Sequence, residues 1–347
     1  MRMTCFHIAV LLLFISNSLC TSERSFVLVV LPDTQYYSAY FPYTFLEQSQ
    51  WIVDCRTAME IDFVSHLGDI VEHQNDSPSE WRVASSILAP IIAANIPLGL
   101  CVGNHDMGYP DEPEAKRFKY FDEWFPPSLF SNSDWYGGSS PAGTNRNSFQ
   151  LLESRQGVEI VIIHIEFLDY GVFSFNTSWV DEILTNYSSR FAILVSHSAT
   201  YDCFDSVQTT LTTLARTHCN VRLLLGGHFG ECGGERVTFF ANDCGRQTPA
   251  IVTDYQWRYA GGDGWLRYYV FTDGMETLHA HTFSTRLNRF ENDTDSQFAL
   301  DLTHGTLTTL ETVDLSCDSK FIPPVIIGFI QMMNMTVWFF VMIVFIS

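Results

Sequence analysis

Five short apolar runs punctuate the chain: Phe26–Leu31, Phe63–Leu67, Leu98–Val102, Ile193–Val195 and Val221–Leu225. Each has strand length and a β-prone composition. Each stops at a small polar island. In order these are Asp33-Thr34-Gln35, Gly68-Asp69, Gly103-Asn104-His105-Asp106, Ser196-His197-Ser198 and Gly227-His228. Helical stretches, roughly Thr44–Met59 and Ser79–Ala94 with Ser79 as N-cap, separate the first three runs. Strand, helix and strand in succession predict parallel βαβ units whose ends deliver the islands to one rim.

Further along, Pro110–Asn147 is rich in Pro, Gly and aromatic residues and reads as an irregular insertion with a short helix near Glu114–Trp124. Strands are expected at Ser148–Leu152, Val158–Ile165 and Phe191–Val195, and helices near Trp179–Tyr187 and Ser206–Thr217. Arg236–Phe283 reads as β-rich, with turns at Gly261-Gly262 and Asp273-Gly274. These elements make one domain over 24–286. The polar, acidic stretch 287–320 is expected to be a linker or stalk.

The 347 residues, 46% of them hydrophobic, suffice for one large core. A net charge of −20 without any basic run argues against nucleic acid or an anionic membrane surface as partner. Residues 1–20 have the form of a secretory signal peptide, with Arg2, the apolar Ile8–Ile15, then Ser18 and Cys20. Residues 321–347 form an apolar C-terminal segment, expected to anchor the chain to a membrane as a transmembrane span or a GPI signal. The chain is therefore expected on the secretory route, extracellular or bound to the cell surface. Sequons at Asn75, Asn176, Asn186 and Asn292 agree with that route. Of the seven later cysteines, Cys203 with Cys219 and Cys232 with Cys244 are the expected pairs, and Cys101, inside an apolar strand, the expected free thiol.

The islands supply Asp, Asn and His, ligands suited to Zn, Fe or Mn. Two divalent ions about 3.5–4 Å apart need a bridging carboxylate, and Asp69, after a glycine that lets the backbone turn, is placed to be one. Asn104 offers an amide oxygen, and His105 beside it is free to face a substrate. The ordered set Asp-x-Gln, Gly-Asp, Gly-Asn-His-Asp, His, Gly-His resembles the calcineurin-like metallophosphoesterase superfamily over roughly Ser25 to Phe283.

The resemblance implies an α/β fold, a four-layer αββα sandwich. It implies Asp69 as bridge, Asn104, His197 and His228 as ligands of a second metal, and Asp33 as ligand of a first. It makes His105 the residue that stabilises the transition state or protonates the leaving group, with Asp106 orienting it. The implied activity is hydrolysis of a phosphomonoester or phosphodiester by attack of a metal-bound hydroxide. The implied partner is a phosphorylated small-molecule, lipid or protein substrate. Two positions depart from the family pattern. Gln35 stands where a His is usual, as ligand or as a donor to one. Gly230 stands where the last motif has its second His. Both departures weaken the first metal site. Glu72 occupies the place of the Tyr of the purple acid phosphatase branch, which argues against that branch.

Outside the motifs, His73 lies near Asp69 and Arg258 lies on a Gly- and aromatic-rich loop; both are candidates for substrate binding. His66 and His164, within strands, are expected to be hydrogen-bonded core residues. The competing function is a surface glycoprotein that kept the fold for binding, motivated by Gly230 and by the aromatics of Pro110–Tyr136, expected to be exposed.

Overall fold

The computed structural model describes residues 24–74, 77–168, 177–200, 207–230, 233–308 and 317. The leader and anchor expected at the termini lie outside these residues. Among the described residues no helix is long and apolar enough to cross a membrane.

The first half runs β1 (Phe26–Leu31), α1 (Gln35–Ala39), α2 (Pro42–Met59), β2 (Phe63–His66), α3 (Pro78–Ala93) and β3 (Leu98–Leu100). Short helices α4 (Glu114–Arg117) and α5 (Lys119–Trp124) follow, then β4 (Tyr136–Ser140), β5 (Asn147–Glu153), β6 (Glu159–Ile165), α6 (Thr177–Asn186), β7 (Phe191–Ser196), α7 (Thr209–Thr217) and β8 (Val221–Gly226). The remainder is β: β9 (Glu235–Ala241), β10 (Gln247–Thr253), β11 (Trp265–Thr272), β12 (Thr277–Ser284), β13 (Arg289–Glu291), β14 (Phe298–Asp301) and β15 (Thr306–Thr308).

The strands form two sheets. One has the order β15-β14-β12-β11-β1-β2-β3, with β13 beside β12; the other has the order β4-β5-β6-β7-β8-β10-β9. Strands β1, β2 and β3 are parallel, and so are β6, β7, β8 and β10.

The alternation of side chains along each strand explains the layering. Phe26, Leu28 and Val30 of β1 meet Ile160 and Ile162 of β6 and Ile193 and Val195 of β7 in a core between the sheets. Val27, Val29 and Leu31 face the other way, against Phe45 and Ile52 of α2 and Trp81, Leu88 and Ile91 of α3. On the far side, Val161, Ile163 and Leu194 pack on Val180, Ile183 and Leu184 of α6 and Leu211 and Leu214 of α7. Helix, sheet, sheet and helix thus form the expected αββα sandwich. Strands buried on both faces read as continuous apolar runs, which is why they stood out in the sequence.

Several expectations need correction. Helix α3 begins earlier than expected, with Ser77 in the N-cap position but making no side-chain cap, Pro78 in the first turn, and Ser79 inside the helix. The aromatics of the 110–147 insertion are not a free surface: Phe118, Phe121, Phe125 and Phe130 are buried in the α2–α3 core. Arg146 fixes the insertion by gripping Asp122 at 2.6 Å and Glu114 at 2.6 Å. The expected linker contributes β13, β14 and β15 to the first sheet, and Phe298 and Leu300 enter the inter-sheet core. Its polar composition hid three short strands.

The disulfides also differ. Cys219 pairs with Cys244, and Cys55 of α2 pairs with Cys317. Cys219 precedes β8 and Cys244 precedes β10; the two strands are parallel neighbours, so their starts lie side by side. The expected partners Cys203 and Cys232 lie outside the described residues. Cys101 is free and buried, as anticipated.

Candidate metal centre

Both parallel strand sets end at one rim. From the first sheet, β1 delivers Asp33 and Gln35, β2 delivers Asp69, and β3 delivers Asn104 and His105. From the second, β7 delivers His197 and β8 delivers His228. Carboxyl ends of parallel strands are the usual place for a site in α/β folds. Here the chain also adopts left-handed backbone at Asp33 (φ 23°), Asp69 (φ 50°) and His228 (φ 74°). Non-glycine residues hold such conformations only where the surroundings compensate, and they cluster at functional sites.

Asp69, His197 and His228 offer ligand atoms that all lie within 4.8 Å of one another. His197 is fully buried. Its Nδ1 donates to the Leu67 carbonyl at 3.0 Å. Its Nε2 lies 3.1 Å from Asn104 Oδ1 and 3.1 Å from Asp69 Oδ2. A carbonyl fixing one imidazole nitrogen sets the tautomer and leaves the other as a ligand atom. Asp69 Oδ1 accepts the His105 backbone N–H at 2.9 Å, which ties the second island to the third.

Asp33 Oδ1 accepts the His228 backbone N–H at 3.1 Å, and this joins the rims of the two sheets. A side chain on Gly227 would reach within 2.2 Å of Asp33 Oδ2, so the glycine is needed for this approach. Asp33 Oδ2 and Gln35 Oε1 are both buried and without a hydrogen-bond partner. Buried oxygens without donors are costly unless something else satisfies them. A divalent cation does so, and these residues fit one.

The electrostatics agree. Burial pushes Asp69 up, but His197 beside it overrides this and holds the carboxyl down at about 2. Burial, then the carboxylates of Asp254 and Asp69, push Asp33 well up. Burial raises Asp254 to about 7 and also keeps His228 neutral, lowered to about 4, with His197 adding to that effect. Carboxylates that raise one another in a buried cluster are stabilised by a cation among them.

His105 is held differently from the expectation. Its Nδ1 contacts the Glu72 carbonyl at 2.9 Å and lies 3.5 Å from the Glu72 carboxylate. Burial lowers His105, but Asp69 and Glu72 outweigh it and the imidazole is raised. Asp106 does not orient the ring. Its carboxylate accepts backbone N–H groups of Ile70 at 2.7 Å, Val71 at 3.1 Å and Gly103 at 2.8 Å. It locks the loops after β2 and β3 together, because its short side chain turns back into the loop that carries it. Glu72, which sequence reasoning used only to exclude a branch, is the residue on the imidazole.

The two proposed substrate residues are otherwise engaged. His73 Nδ1 pairs with Glu80 of α3 at 2.7 Å, with its ring half exposed. Arg258 is bound to Glu235 at 2.7 Å and to Glu291, with its guanidinium over the Tyr255 ring. Glu235 also pairs with the fully buried Arg267 and accepts from Tyr255 and Ser296, so Arg258 belongs to the framework. At the mouth, Tyr36 meets Trp257 edge-on with centroids 6.1 Å apart, and Tyr40 meets His73 at 6.3 Å. Tyr40 and Trp257 are exposed.

A family model described as calcineurin-like phosphoesterase matches residues 28–232. Among known proteins, the chain is 26% identical over 302 residues to the uncharacterized protein YvnB of Bacillus subtilis (strain 168). That match covers 83% of this chain but 22% of YvnB, so the chain spans about a fifth of that relative. Among solved structures, a dimetal phosphatase from Danio rerio aligns with a TM-score of 0.47 and 14% identity, covering 76% of this chain and 97% of the other. GAP50, the anchor in the inner membrane complex of Plasmodium, aligns with a TM-score of 0.44 and 11% identity, over 79% and 89% of the two chains.

Proposed function

Because the chain belongs to the calcineurin-like phosphoesterase family, we propose that it is a metal-dependent hydrolase of phosphomonoesters or phosphodiesters. The observation that carries this reading is the convergence of Asp69, His197 and His228 beside His105 at a shared strand rim. Asp69, Asn104, His197 and His228 would hold one cation; Asp33, Gln35 and Asp69 would share in holding another. Such ions neutralise phosphoryl oxygens and bring the pKa of water towards neutrality.

The chain's own residues do the rest. Glu72 engages His105 Nδ1, which leaves Nε2 to carry a proton to the leaving oxygen. The raised His105 favours the protonated form that this role needs. His228, kept neutral, retains a lone pair for a ligand bond. Asp106 holds the loops bearing Asp69 and Asn104 in register, so the pieces are positioned before substrate arrives. The exposed Tyr40 and Trp257 suit a substrate with an apolar or planar portion, whether small molecule, lipid or protein. The disulfides suit an oxidising compartment, in keeping with a secreted or surface-bound protein.

The test is turnover of a panel of phosphomonoesters and phosphodiesters by the purified protein, before and after chelation. His105→Ala is expected to lower kcat about 10²–10⁴-fold, the range of general acid catalysis, with zinc content unchanged. Full activity in that variant rejects the role of His105. A metal-replete protein that turns over no phosphoester rejects the enzyme reading and favours a binding function.

A further inference from the structure

The family's last motif carries a second histidine where this chain has Gly230, so the first cation lacks a ligand by sequence. The structure fills that place from elsewhere. Strand β10 runs parallel to β8, with Val252 opposite Gly226, and its end therefore reaches the rim beside His228. The residue delivered there is Asp254, 1% exposed. A side-chain carbon on Gly230 would fall 2.7 Å from Asp254 Oδ2, so the carboxylate occupies the space a residue at 230 would use. Asp254 Oδ1 accepts the Gln256 backbone N–H at 2.9 Å, which fixes the group. Oδ2 is buried, approached by the Gly230 backbone N–H alone. Asp254 is also the charged group that most strongly repels Asp33.

We propose that Asp254 is a ligand of the first cation and replaces, from the end of β10, the histidine missing at Gly230. Three buried, under-satisfied oxygens, from Asp33, Gln35 and Asp254, then share one demand. A site of carboxylate and amide oxygens suits hard ions such as Mn, and carboxylates also bind zinc. The inference rests on the metal-dependent reading above.

Zinc is the probe, read by elemental analysis and by thermal melting of the chelated and zinc-loaded protein. Wild type is expected to hold two zinc ions per chain, the number a dimetal centre requires, and Asp254→Asn one. The chelated variant is expected to melt at or above chelated wild type, because a buried repulsion is gone. Its rise in Tm on adding zinc is expected to be smaller than that of wild type. An aspartate serving only to cap the Gln256 turn gives the reverse: a lower chelated Tm, with stoichiometry and zinc response unchanged. That result overturns the inference, as does a wild type that takes up a single ion. A wild type that takes up none rejects the metal-dependent reading itself. Should Asp254→Asn fail to fold, anomalous diffraction from zinc-loaded wild type decides the matter. A zinc peak about 2.0–2.2 Å from an Asp254 oxygen, the usual Zn–carboxylate distance, supports the assignment, and its absence there overturns it.

Discussion

At the scale of single residues, the site is a set of polar side chains at strand ends, three of them, Asp33, Asp69 and His228, on left-handed backbone. Asp106 shows how much rests on one carboxylate. Asp106→Asn keeps the size but replaces one accepting oxygen with a donor that faces backbone N–H groups. Losing such buried bonds costs about 1–3 kcal/mol, read as a lower urea midpoint, and zinc affinity should fall with it because the Asp69 loop is released. Gly230→His restores the family's spelling and should still fail to strengthen metal binding. The new side chain would fall 2.4 Å from Trp257 and 2.7 Å from Asp254; higher zinc affinity in that variant would contradict the packing described here. The motif residues were legible because strand ends place them in a fixed order. Asp254 was not, since a lone Asp after a strand is ordinarily a turn residue and only the β8–β10 pairing reveals its neighbour. The ion pairing of Arg258 was hidden for a related reason: the sequence shows a guanidinium on a loop but not the buried Glu235 beneath it.

At the scale of elements, the parallel strands and their helices were readable from apolar runs and breaks, whereas the last strands of the first sheet were not. Residues 287–308 carry too few apolar positions to signal strands, yet Phe298 and Leu300 suffice once β12 offers an edge to pair with. Glu235, at the start of β9, ties that strand to β11 through Arg267 and to the loop before β11 through Arg258. Glu235→Ala leaves Arg267 buried without a counter-charge. Removing one partner of a buried pair costs about 3–5 kcal/mol, measurable as a drop in unfolding free energy. A change below about 0.5 kcal/mol, the size expected at an ordinary surface position, would show that the pair does not matter. The disulfide between Cys55 and Cys317 spans 262 residues of chain, and Cys317→Ser should cost several kcal/mol, within the range of about 2–5 seen for native disulfides.

At the scale of the whole molecule, stability should depend on pH through buried histidines. His66 and His164 are buried and neutral, each lowered to about 3 by burial. His164 lies between Ser65 and Gln150, at 2.9 Å from each, and so links the two sheets. Their folded values lie below the unfolded 6.5, so their contribution is complete above pH 6.5. It is lost as pH falls towards 3, at up to about 1.4 kcal/mol per pH unit for each. Urea unfolding between pH 7 and 4 should show this slope, and His164→Gln should flatten it by one histidine's share.

The two rims have a mechanical consequence. Asp33, Asp69 and Asn104 belong to one sheet, and His197, His228 and Asp254 to the other, so any ion gripped by both groups is a rivet through the seam of the sandwich. Hydrogen exchange should then slow on metal loading along that single margin, at residues 67–71, 102–106 and 226–230, while the opposite margin, where β1 and β6 begin, exchanges as before.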